Sequence, residues 1–98
     1  MSSSMPPSNT KALKIEISGK VQGVYFRAQS RTKALELSIR GTVENLPDGR
    51  VLIVAEGETE PLIHFVNWCH RGPLFAKVRS VKTEEITLQG YTGFEILK

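Results

Sequence analysis

The run Gly19-Lys20-Val21-Gln22-Gly23-Val24-Tyr25-Phe26-Arg27 holds two glycines four residues apart and closes on an arginine. It follows an alternating strand pattern and leads into a helical pattern that begins near Arg27. A loop at such a junction turns several backbone N–H groups towards one point, at the positive end of a helix and beside a guanidinium. Those are the parts of an oxyanion site, most naturally one for phosphate. Eighteen residues beyond Arg27, Asn45 falls near the end of a second strand pattern, just before the turn Pro47-Asp48-Gly49. Its carboxamide both donates and accepts hydrogen bonds, so it can orient a water without a proton of its own. The chemistry expected is phosphoryl transfer by positioning. The amides of Val21 to Phe26 form the cradle, and Gly19 and Gly23 allow its backbone angles. Arg27 supplies a planar fork for two phosphoryl oxygens, and Asn45 places the water. Lys20 reads as a solvated charge that draws in anions.

The elements that position these groups follow from periodicity. Leu13, Ile15 and Ile17 alternate with Lys14, Glu16 and Ser18, a half-buried strand. Ser30, Ala34, Leu37 and Gly41 recur along one side of a helical pattern that ends near Leu37–Ser38. Residues 42–46 and 50–56 read as strands around the Pro47-Asp48-Gly49 hairpin turn. A second helix is expected from about Pro61, with the stripe Leu62, Phe65, Val66 and Cys69, and is stopped by Gly72-Pro73. Residues 76–85 form a long strand whose apolar phase slips between Val78 and Val81, which signals a twist or bulge. Residues 94–97 close the chain as a short strand. The order βαββαβ plus a terminal strand predicts an α+β, ferredoxin-like sandwich: a mainly antiparallel sheet with two helices on one face.

At 98 residues the chain makes one domain, expected over residues 11–98 behind a flexible tail of residues 1–10. Residues 1–50 carry eight Lys/Arg against four Asp/Glu, and residues 51–98 five against six. The positive excess thus lies in the half that holds the loop, where an anionic ligand profits from it. Cys69 is the only cysteine, which excludes an intrachain disulfide and a tetrahedral cysteine metal site and suits a reducing cytoplasm. No apolar run reaches the ~20 residues of a membrane span.

The loop and the second motif together resemble acylphosphatase, a family of small hydrolases of carboxyl-phosphate anhydrides. The family loop reads Gly, a basic residue, Val-Gln-Gly-Val, one variable residue, an aromatic and Arg, and Gly19 to Arg27 match it throughout. Its second signature, Gly-x-Val-x-Asn before a turn, matches Gly41, Val43 and Asn45 in register. The likeness runs on through Gly72-Pro73 and Val78 to Phe94. It implies metal-independent hydrolysis of an acyl phosphate to a carboxylate and inorganic phosphate, with Arg27 and Asn45 in the roles above, by a cytoplasmic monomer without cofactor. Three positions depart from the family habit: Thr42 where a large aromatic is common, Glu44 where a basic or neutral residue is common, and Ser38 where a helix-ending glycine is common. They bear on packing and stability.

Blander roles fit the remaining residues. Cys69, Phe65, Trp68 and Phe75 read as packing residues, Asp48 as a hairpin former, and His64 and His70 as poorly spaced to share one helical face. Glu44 should face away from Asn45, and no metal is implied. A single-stranded RNA reader on the same fold needs sheet-face aromatics and a basic Gly-aromatic strand motif, and Val51 to Glu56 has neither. A non-catalytic accessory module is the other alternative, because similar domains occur inside larger maturation proteins.

Overall fold

The computed structural model describes residues 9–98, and the greater part of the expected tail lies outside them. The elements are β1 Thr10–Lys20, α1 Phe26–Glu36, β2 Arg40–Asn45, β3 Val51–Glu58, α2 Thr59–Arg71, β4 Lys77–Ile86 and β5 Phe94–Leu97. They form one five-stranded sheet in the order β4-β1-β3-β2-β5. The β1–β3, β1–β4 and β2–β3 pairs are antiparallel, and β5 lies parallel to β2. This is the ferredoxin-like α+β sandwich, with a fifth strand on the β2 edge.

Period two sorts the strand residues between the faces. Ile15 and Ile17 of β1, Val43 of β2 and Val51, Ile53 and Ala55 of β3 turn into one core with Phe26 and Ala34 of α1 and Leu62, Phe65 and Cys69 of α2. Burying each large member contributes about 1.5–3 kcal/mol, so the sheet face is what gives both short helices their stability. Trp68 is half-buried and stacks over Phe65 with centroids 6.2 Å apart; the ring of Phe26 lies 5.4 Å from it. Phe75, expected in the core, is instead 67% exposed in the α2–β4 loop, because Gly72 ends the helix before that side chain can turn inward.

Several boundaries moved. β1 starts at Thr10, at the end of the expected tail, because Thr10 pairs with Glu58 and Thr59 Oγ1 donates to the Asn9 carbonyl. α2 starts at Thr59 rather than near Pro61, which still sits in the first turn. Gly41 belongs to β2 rather than to the helix stripe: a Cβ there would lie 1.7 Å from the Val54 carbonyl oxygen of the neighbouring strand. The phase slip in β4 is a bulge. Ser18 pairs with Ser80 and Gly19 with Val78, so Arg79 is the extra residue and Val78 and Val81 both stay half-buried against the core. Ser38 holds φ 58 just after α1, a conformation that costs a residue with a Cβ roughly 1–2 kcal/mol.

One buried charge escaped the sequence reading. Glu56 of β3 is 1% exposed. Its carboxylate accepts from the backbone N–H groups of Gln89, Gly90 (3.0 Å) and Tyr91 (3.1 Å), a nest of successive amides that satisfies the charge. That anchor fixes the crossing from β4 to β5. Gly41 N–H to Gly93 O (2.8 Å) and Arg31 Nε to Phe94 O (3.0 Å) then hold β5 in place.

Cys69 is fully buried, and desolvation of the thiolate pushes its thiol up from 9.0 to about 12. The fold therefore favours the neutral thiol. Its stabilising share is whole below about pH 9, where the unfolded thiol is also neutral, and is lost as pH rises towards 12. We expect a disulfide reagent at pH 8 to leave the native protein unlabelled and to modify one thiol once denaturant is added. Fast native labelling would contradict the burial.

Candidate active site

The cradle is built where β1 hands over to α1. Lys20 ends β1, Gly23 adopts φ 75, and Tyr25, the residue capping α1, adopts φ 66 and ψ 20. Two left-handed residues in so short a turn curl the chain and point its amides inward. Among the described residues, no hydrogen bond within the protein uses the N–H of Gln22, Gly23, Val24 or Tyr25 outside the regular elements. Phe26, Arg27 and Ala28 open α1, so their amides lack intrahelical partners as well. Tyr25 makes no side-chain cap, and the first turn of α1 carries no acidic residue. The positive helix end is left open to an anion.

Arg27 and Asn45, apart in sequence, line one cleft of ≈ 380 Å³ together with Val21, Gly23, Tyr25 and Phe26. Asn45 reaches it because alternation along β2 puts Gly41, Val43 and Asn45 on one face, and Val43 is buried in the core there. The same alternation turns Thr42 and Glu44 to the other side. Within the described residues, neither the Arg27 guanidinium nor the Asn45 carboxamide has a hydrogen-bond or ion-pair partner. Both are half-buried. An unpartnered cation beside unpartnered amides and an unpartnered carboxamide make a site ready for a tetrahedral oxyanion and a water.

Other residues of the expected loop are placed differently. Gly19 lies in β1 opposite the bulge, outside the cleft; with φ 124, a Cβ there would come within 2.2 Å of the Lys77 carbonyl oxygen. Its glycine answers a close strand approach. Lys20 is exposed and pairs with Lys77 across β4, and neither lysine joins an ion pair among the described residues. Val24 is 5% exposed and anchors the turn in the core. Ala28 and Ile96 line the cleft without having been singled out in the sequence. Ile96 arrives through the parallel β2–β5 pairing, a contact with no local signal.

Gln22 has a role that its place in the loop does not announce. Its Nε2 donates to the carbonyls of Leu46 (2.8 Å) and Arg50 (2.9 Å), the two residues that close the β2–β3 turn. The side chain thus ties the cradle to the strand end that carries Asn45. In that turn Asp48 accepts from the Arg50 N–H (3.1 Å) and from its guanidinium (2.8 Å), and the backbone hydrogen bond chiefly holds its carboxyl below the usual range. The two hydrogen bonds of the Gln22 carboxamide are worth about 1–3 kcal/mol together. We expect Gln22→Glu, which sets a carboxylate against two carbonyl oxygens, to cost more kcat and stability than Gln22→Ala. Gln22→Ala itself should lower kcat about tenfold by loosening the cradle against Asn45. Equal rates for both variants and the parent would show that the tie does not matter.

Comparison with known proteins agrees with this geometry. The acylphosphatase family profile matches residues 13–96. The acylphosphatase of Rubrobacter xylanophilus is 47% identical over 89% of this chain and 80% of its own length. The structure superposes on an acylphosphatase from Coxiella burnetii with a TM-score of 0.88 and 40% identity, covering 91% and 94% of the two chains. On the Bacillus subtilis acylphosphatase the TM-score is 0.87 at 36% identity, over 89% and 98%. With the profile spanning nearly the whole described chain, this protein belongs to the acylphosphatase family.

Proposed function

We propose that the chain's hydrolysis of acyl phosphates takes place in the cleft between the β1–α1 turn and the end of β2, with Arg27 and Asn45 as its catalytic side chains. The observation that carries this is the convergence of an unpartnered guanidinium, an unpartnered carboxamide and unused amides on one cleft. An acyl phosphate is an activated mixed anhydride with a good carboxylate leaving group, so the protein needs neither a covalent intermediate nor a strong base. The amides from Val21 onwards and the Arg27 fork hold the phosphoryl oxygens and take up their charge as the bond to the carboxylate stretches. Asn45 holds a water on the far side, in line with that bond. Water oxygen bonds to phosphorus, the P–O bond to the acyl group breaks with its electron pair on the carboxylate, and the water's proton passes to a phosphoryl oxygen.

No acidic side chain lines the cleft among the described residues, and Arg27 is its only cation. The reading is therefore of a metal-independent reaction. A monomer working in the cytoplasm on small acyl phosphates, without nucleic acid, completes it; the single buried cysteine suits a reducing compartment. No helix among the described residues is long and apolar enough to cross a membrane. The test is hydrolysis of benzoyl phosphate in water enriched in heavy oxygen, with a chelator present. Label in the phosphate and an undiminished rate are expected. Label in the benzoate puts the water at carbon and overturns the proposed geometry.

A further inference from the structure

The cleft is lined by two unlike sets of groups: the polar Arg27, Asn45 and turn amides, and the side chains of Tyr25, Ala28 and Ile96. Tyr25 is 73% exposed and Ile96 39%, large apolar side chains left uncovered at the cleft. Tyr25 is held there at left-handed φ 66, a conformation that glycine adopts freely and an aromatic residue rarely does. Strain of that kind persists where the surrounding structure imposes it, and it clusters at ligand sites. Ile96 lines the same cleft from β5, whose approach is fixed by the Glu56 anchor and by the Arg31 bond to Phe94 O. Both groups are thus presented by fixed backbone rather than by mobile tips.

We propose that Tyr25 and Ile96 form the acyl-group subsite of this enzyme and direct it towards acyl phosphates with aromatic or extended apolar tails. The proposal rests on the phosphoryl placement above. With the phosphoryl group seated on the amides and Arg27, the tail is expected to leave past the exposed side chains of Tyr25 and Ile96. A cleft of ≈ 380 Å³ lies at the low end of the about 300–1,000 Å³ typical of small-molecule sites, room for an organic tail beside an oxyanion. Among the described residues the one cation lining the cleft, Arg27, is committed to the phosphoryl group. A tail bearing its own carboxylate or phosphate finds no counter-charge there and is disfavoured, whereas a flat apolar tail meets an aromatic ring and an aliphatic side chain.

The test compares kcat/KM for benzoyl phosphate and acetyl phosphate in the parent, Tyr25→Ala, Tyr25→Phe and Ile96→Ala, with inhibition by inorganic phosphate measured in each. The parent should favour the benzoyl substrate. The benzoyl-to-acetyl ratio should fall about tenfold in Tyr25→Ala and several-fold in Ile96→Ala, and persist in Tyr25→Phe. The ratio is the readout because a general disturbance of the turn lowers both substrates together and leaves it unchanged. An unchanged ratio in both alanine variants overturns the subsite. Failure of the parent to be inhibited by inorganic phosphate strikes instead at the phosphoryl placement, so the two ideas fail separately.

Discussion

Arg27→Gln should fold as the parent does and lose at least about 10³ in kcat/KM on acetyl or benzoyl phosphate. The size follows from what the side chain does. One oriented donor in a dry site is typically worth ~10²–10³ in rate, and Arg27 offers two donors and, among the described residues, the only cationic side chain lining the cleft. Because in the proposed mechanism it grips the phosphoryl group in the ground state as well, KM should rise and phosphate inhibition weaken along with the fall in kcat. Folding should survive because the guanidinium makes no hydrogen bond or ion pair within the described protein. Arg27→Lys should recover only part of the loss, since an ammonium keeps the charge but not the planar fork. Steady-state kinetics beside a thermal melt checks all of this; a near-parental rate in Arg27→Gln removes the residue from the site.

Asn45→Ala should show a different signature, a fall in kcat of about 10²–10³ with KM and phosphate inhibition nearly unmoved. In the proposed mechanism the carboxamide addresses the attacking water rather than the bound phosphoryl group, so its absence is felt in the transition state alone. Asn45→Asp should be worse still, because a carboxylate there repels the substrate oxygens and raises KM too. If Asn45→Ala raises KM and spares kcat, the residue binds substrate and does not place water.

The residues make some parts of the structure legible and leave others hidden. Arg27 and Asn45 were legible because each sits at the end of a regular element, where a local motif and strand alternation set both position and facing. The strand and helix order was legible for the same reason, through the alternation of Leu13, Ile15 and Ile17 and the stripe of Leu62, Phe65 and Cys69. The slip between Val78 and Val81 signals a twist or bulge, which the structure places at Arg79. What stayed hidden depends on contacts distant in sequence. Nothing local marks Gln22 as the tie to the β2–β3 turn, Glu56 as the anchor of residues 89–91, or Ile96 as part of the cleft wall. Gly19 was assigned to the cradle for its flexibility, yet it is required by the approach of β4. Phe75 shows the limit of composition, an aromatic residue left outside because the helix ends before it.

Amide-resolved magnetic resonance of the protein titrated with inorganic phosphate addresses the central claim most directly. Saturable shifts confined to the amides of Val21 to Ala28 and the side-chain amide of Asn45, and largely lost in Arg27→Gln, are the expected result. Shifts that map to another surface, or that persist unchanged without the Arg27 guanidinium, would contradict it.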